Sequence, residues 1–343
     1  MDSLMLMQDK AFYKFVQKRK LMEASFTPQQ WEKYISLLDE FDHYRRLSVP
    51  EKEIIIKSIL GKPYLDLRCD WAFKHIMNDP EILMLLLNDF LPEKIVGVEH
   101  LPNEIDRLRP DDKNIIMDVL CRTDRGESII VEMQRKKKTS FLNRMFYYGA
   151  SMVHQQLKPK DTYKQLKPVY VICFMDFRLE HETDKLVYRY ALREQETGEL
   201  YGNQLSIYLC ELERLNNNNL KDMDSVETWF YILRNICNFA GKPEEIGPKF
   251  APVVRAAQTN QLPEEDQLNY MRAMVSEEER LDIGEAYFKD GYKAGVAENK
   301  EQWVAEGKAE GIAEVAKAML AKGMALEAIS EFTGLSSEAI QTI

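Results

Sequence analysis

Apolar and polar positions alternate along this chain with two different periods, and the switches between them lay out its architecture. Trp31, Tyr34, Ile35, Leu37 and Leu38 recur at helical spacing within residues 1–60, with Thr27 placed to cap and Pro28 suited to a first turn. The same period returns from about Asp70 to Leu87, where Trp71, Phe73, Ile76 and Met77 share a face, and Pro92 closes that region. Three strand-like segments follow, Val96–Leu101, Asn114–Arg122 and Glu127–Gln134, and then a helix over about Ser140–Leu157. Val169–Met175, after Pro168, is apolar without interruption and predicts a central strand buried on both faces. Leu186–Ala191 and Gln204–Leu209 alternate and read as added strands. The order helix, three strands, helix, strand predicts an α/β sandwich with a mixed sheet.

Beyond the asparagine run Asn216–Asn219 the pattern is helical: Val226–Phe239, Ala251–Gln261, Gln267–Met274 and a long helix from near Glu277. That last helix carries Gly284, Gly291, Gly295, Gly307 and Gly311. Mid-helix glycine costs about 1 kcal/mol relative to alanine, so this spacing suits either close helix–helix approach or a weakly structured acidic tail. Four segments result: 1–61, a helical extension; 62–212, the α/β core; 213–275, a helical subdomain; and 276–343, a glycine-spaced helical tail.

Composition narrows the class of protein. With 343 residues, 45% hydrophobic and 30% charged, the chain can bury one large core and a smaller appendage. Its longest apolar run falls short of the roughly 20 residues a membrane helix needs, and no cationic segment precedes an apolar core at the N-terminus. The five cysteines, Cys69, Cys121, Cys173, Cys210 and Cys237, show no metal-like or redox-like spacing. These features predict a soluble cytoplasmic protein with no membrane partner. The net charge of −10 counts against a protein that coats nucleic acid. Residues 276–314, however, hold eleven acidic and five basic side chains, and elsewhere stands the block Arg135-Lys136-Lys137-Lys138. Local patches, not the total, set steering towards phosphate.

Between the second and third strands, Asp124-Arg125-Gly126 suits a three-residue hairpin loop closed by a left-handed glycine. Pairing Thr123 with Glu127 then sets Asp118 directly opposite Glu132, on the same face. Both sit in apolar strands, and like charges so placed must share a proton or bind a cation. Hard oxygen ligands suit magnesium or manganese. Gln134 shares the face of Glu132, where its amide can orient a water or a phosphate oxygen, and the basic block follows at once. An isolated strand carboxylate is more often a solvent-facing residue, so the pair carries the argument.

These residues resemble a known family. Asp118 followed by Glu132-Met133-Gln134, in this order of elements, resembles the PD-(D/E)xK nuclease superfamily, and more closely its recombination-promoting nuclease and transposase branch, the Rpn type. Asp70-Trp71-Ala72-Phe73-Lys74 is similar to that branch's Asp-x-x-Phe-Lys signature. Arg144, Tyr148 and Tyr163–Tyr170 are similar to its helix after the motif and the strand that follows, and the likeness spans about residues 62–275. The resemblance implies a restriction-endonuclease-like core and a Mg2+- or Mn2+-dependent DNA endonuclease. Asp118, Glu132 and the Met133 carbonyl would be the metal ligands. Gln134 stands where the superfamily has lysine and lacks that charge; Lys136 is a candidate replacement if the strand continues.

Asp70 reads either as an added carboxylate or as a helix N-cap, the cap being preferred, and Glu104 is a weaker candidate. Arg135, Lys137, Lys138 and Arg144 are candidate DNA contacts; Tyr148 reads better as packing. The alternative function is a DNA-binding or regulatory protein that keeps the fold without cleaving. Ala328–Ile340 also resembles helix-turn-helix spacing, but its second helix, Ser336–Ile343, has no Lys or Arg, so a helical hairpin for homo-oligomerisation is preferred there.

Overall fold

The computed structural model describes residues 26–105, 115–138, 140–217, 219–241, 243–277, 311–322 and 324–342. The chain divides into two compact units, Met1–Glu277 and Glu278–Ile343. In the first, helix α1 (Pro28–Asp39) starts at Thr27, whose hydroxyl accepts from the Gln30 N–H while the Gln30 side chain accepts from the Thr27 N–H. Its stripe buries Tyr34, Leu37 and Leu38, and α2 (Val49–Leu60) packs against it.

The helix expected over Asp70–Leu87 is two helices, α3 (Asp70–Met77) and α4 (Pro80–Phe90). Asp79 divides them: its carboxylate accepts from the N–H groups of Glu81 and Ile82, at 2.8 and 3.4 Å, and Pro80 at the next position has no N–H to continue the earlier helix.

The strands are β1 (Val98–His100), β2 (Glu104–Ile105), β3 (Ile115–Ile116), β4 (Val119–Thr123), β5 (Ser128–Gln134), β6 (Val169–Met175), β7 (Val187–Ala191) and β8 (Leu205–Glu211). Six of them form one sheet in the order β1-β4-β5-β6-β8-β7, while β2 and β3 pair separately. The pairs β5/β6 and β6/β8 are parallel and the outer pairs antiparallel, the mixed sheet that the element order predicts. Strand β6 lies inside the sheet with all seven residues buried, as its uninterrupted apolar run requires.

One expected strand is broken. Residues 115–123 split at Met117-Asp118: β3 turns away to pair with β2, the Met117 N–H donates to the Asn103 carbonyl, and only β4 enters the main sheet. The hairpin loop takes the expected form, with Gly126 at φ 86°, its N–H donating to the Thr123 carbonyl, and the Thr123 N–H donating to the Glu127 carbonyl. The resulting register pairs Val119 with Val131 and Leu120 with Ile130.

Each sheet face is covered. One face, with Val131, Met133, Ile172 and Phe174, packs on α3, α4 and α6 (Ser225–Asn235). Tyr34, Phe73, Trp229 and Tyr270 all belong to this core, so the N-terminal helices and those within residues 213–277 fold with the strands as one body. The opposite face, with Ile130, Val171 and Leu209, packs on α5 (Phe141–Gln155) through Phe141, Met145 and Met152. Gly149 sets the approach of α5: a Cβ there would stand 2.5 Å from Leu205 Cδ1 and 3.1 Å from Val171 Cγ2. Gly149→Val is therefore expected to cost about 1–3 kcal/mol through overpacking, read as a lowered midpoint in urea denaturation. An unchanged midpoint would show that α5 can slide away without loss.

Further helices are α7 (Ala251–Ala256) and α8 (264–277). In the second unit, described by itself, helices α9 (311–321), α10 (Leu326–Thr333) and α11 (Ser337–Thr342) bury Ala316, Ile329 and Ile340. Gly334, at φ 72°, ends α10 in the left-handed conformation. Gly284, Gly291, Gly295 and Gly307 lie outside the described residues. Among the described residues, no helix is long and apolar enough to cross a membrane.

Candidate active site

Glu132 and Gln134 follow Ile130 at every second position along β5 and so share its face, toward α5. Asp118 stands one residue beyond the last ladder pair of β4, at the kink that separates it from β3. The kink frees backbone groups from the ladder, and side chains take them up reciprocally. The Asp118 N–H donates to Glu132 Oε1 at 3.1 Å, and the Met133 N–H donates to Asp118 Oδ2 at 2.8 Å. The carboxylates expected to face each other do meet, each clamped to the other's strand.

Both are buried. Glu132 is 2% exposed and the Asp118 side chain 11%. Burial is the first cause that pushes both carboxyls above their ordinary values. Repulsion adds to it, from Asp70 on Asp118 and from Asp118 on Glu132; Lys74 and the bonded N–H groups offset part of this. Two buried acids, both raised in this way, form a site that favours a proton or a cation.

Helix α3 brings two more charges. Its apolar stripe, Ala72, Phe73, Ile76 and Met77, is buried in the core, which leaves Asp70 and Lys74, four apart, together on another side. Lys74 Nζ lies 2.8 Å from Asp70 Oδ1 and 3.2 Å from Asp118 Oδ1. Burial pulls the Lys74 ammonium down, but the carboxylates of Asp118 and Asp70 outweigh it and hold it above its ordinary value. Asp70 is thus no N-cap: Cys69 occupies that position, and the Asp70 carboxylate faces Lys74. In the sequence Lys74 stands out only as the last residue of the Asp70-Trp71-Ala72-Phe73-Lys74 segment. Its spacing from Asp70 was a usable signal, but nothing local in the sequence pointed that pair at Asp118.

Gln134 is spent within the site. Its Nε2 donates to Glu132 Oε2 at 3.1 Å, and its Oε1 accepts from the Arg144 guanidinium. This amide orientation satisfies both neighbours, since the guanidinium only donates and the carboxylate only accepts. Arg144 also stands 5.9 Å from the Tyr148 ring centroid. Tyr148 donates its hydroxyl to the Ile116 carbonyl at 3.4 Å and packs against the α5-side core, so the packing reading holds for it.

The basic block divides. Arg135 ion-pairs with Glu277 at 3.3 Å, with its side chain 17% exposed, which draws it away from the contact with DNA expected of it. Lys136, Lys137 and Lys138 are exposed in the segment between β5 and α5. Because β5 ends at Gln134, the continued strand that would have carried Lys136 onto the Glu132 face does not form. Glu104 lies in the small sheet opposite Ile116 and is exposed.

The donor set fits a magnesium-like ion. Among the described residues, no group of three or more His, Cys, Asp and Glu side chains is disposed to hold a metal by itself. Magnesium, however, keeps several waters and needs only one or two carboxylates beside a substrate phosphate. Asp118 and Glu132, buried and mutually repelling, meet that need.

Two family models match the chain. One, described as PD-(D/E)XK nuclease family transposase, matches residues 67–283 and so covers the hairpin, α3 and α5. The other, described as Rpn/YhgA-like nuclease family, C-terminal HTH domain, matches residues 309–343. No curated protein and no solved structure matches. The second match favours a helix-turn-helix for α9–α11 over the self-association hairpin preferred from its lack of basic residues, and it lends homo-oligomerisation no support.

Proposed function

Because the chain belongs to the PD-(D/E)XK nuclease transposase family, with a restriction-endonuclease-like α/β fold, we propose that it hydrolyses DNA phosphodiester bonds as a Mg2+- or Mn2+-dependent endonuclease. The observation that carries this reading is the clamp between Asp118 and Glu132, which holds two buried carboxylates together despite their repulsion. Asp118, Glu132 and the Met133 carbonyl would hold the ion. When bound, the ion supplies an activated water and neutralises charge at the phosphoryl and leaving oxygens. Gln134 keeps Glu132 in place by passing the hold of Arg144 on to its carboxylate. Lys136, Lys137 and Lys138 give a nucleic acid backbone an exposed cationic strip beside the site. The C-terminal helix-turn-helix match supports DNA as the partner.

The test uses the full chain and supercoiled plasmid with Mg2+ or Mn2+, in parallel with a chelator. Nicked or linear plasmid that requires the metal is the expected result. Intact plasmid together with retained DNA binding would instead establish a non-cleaving DNA-binding protein on this fold.

A further inference from the structure

We propose that Lys74 is a catalytic residue of this site, delivering from helix α3 the positive charge that strand β5 does not carry. The assignment rests on the nuclease reading above. Attack of water on a phosphodiester builds negative charge on the phosphoryl oxygens, and fixed cations aimed at that charge stabilise it. Gln134, the strand residue beside Glu132, is neutral, and its amide is held between Glu132 and Arg144.

The other nearby cations among the described residues are differently engaged. The Arg144 guanidinium bonds the Gln134 amide oxygen and stands over Tyr148. Arg135 faces Glu277. Lys136, Lys137 and Lys138 are exposed beyond the end of β5. Among the described residues, the cation that ion-pairs with Asp118 is Lys74, at 3.2 Å, so its ammonium already sits where the reacting phosphate must come if Asp118 binds the ion.

Asp70 makes the arrangement workable. Four residues earlier on the same helix and 56% exposed, it holds the ammonium at 2.8 Å. Lys74 therefore keeps a carboxylate partner when Asp118 turns to a metal ion. The lysine ammonium is a compact charge with three donors on a flexible stem, suited to exchange a carboxylate for a phosphoryl oxygen.

The rival reading is that Lys74 only neutralises Asp118. Plasmid cleavage with Mg2+ separates the two when measured beside Mn2+ binding by electron paramagnetic resonance, on the full chain and on K74A and K74R. If Lys74 acts on the phosphate, K74A loses roughly 100- to 1000-fold in cleavage rate, the cost of removing one such donor. Its Mn2+ affinity stays the same or tightens, because a competing cation has gone. Part of the lost rate returns in K74R, or in K74A supplied with ethylammonium. The assignment is overturned if K74A cuts at the wild-type rate, if Mn2+ binding disappears along with cleavage, or if neither K74R nor ethylammonium restores activity. Wild-type protein that leaves the plasmid intact with either metal overturns the nuclease reading and this assignment with it.

Discussion

Replacing Asp118 with asparagine should abolish metal-dependent plasmid cleavage, by at least about 1000-fold, while raising the melting temperature of the metal-free protein. The loss corresponds to about 4 kcal/mol of transition-state stabilisation, within what a displaced catalytic ion contributes. The gain in stability has a separate origin. Asp118 is held above its ordinary carboxyl value chiefly by burial and by Asp70, so its ionised form is a net cost to the folded state at neutral pH. Asparagine keeps an oxygen for the Met133 N–H and removes that charge, and with it the repulsion of Glu132. A rise of a few degrees is expected in calorimetry with chelator, given about 2–4 °C per kcal/mol for a unit of this size. A lower melting temperature would mean that the Lys74–Asp118 ion pair outweighs the repulsion. Opposite signs for activity and stability are the mark of a site kept for function.

Adding Mg2+ or Mn2+ should stabilise the protein strongly at about pH 8 and little at about pH 5. Both acids have raised values in the fold, so the folded state binds more protons than the unfolded chain above the ordinary carboxylate range. Metal-free stability must therefore fall as pH climbs from that range through the raised values, where both groups lose their protons. A divalent ion competes for the same oxygens and binds best once the protons have left. At a hundred times its dissociation constant it adds about 2.7 kcal/mol. Thermal scans with and without metal at the two pH values check this, and in Glu132→Gln the metal-induced shift should shrink. An equal shift at both pH values would remove Asp118 and Glu132 as the ligands.

Much of this site was legible in the order of residues. Asp124-Arg125-Gly126 selects a hairpin loop through the left-handed glycine, and strand alternation then fixes that Asp118 meets Glu132. The seven apolar residues of β6 announce a strand buried on both faces. Turn chemistry and two-residue alternation act over a few neighbouring residues, so they leave their mark in short stretches of sequence. The Asp79-Pro80 boundary between α3 and α4 was written there as plainly, in a cap followed by a proline, although the stripe from Trp71 onward masked it.

Other features depend on partners far along the chain. The kink at Met117-Asp118 exists because β3 pairs with β2 and Met117 with Asn103. Lys74 reaches Asp118 because Phe73 and Ile76 dock α3 on the sheet, and Arg135 leaves the basic block because the end of α8 brings Glu277 to it. Gln134 acquires its role only once α5 sets Arg144 above it. Which acids face each other follows from local pairing rules; which cations stand over them follows from how helices pack, and packing is settled by the whole core at once.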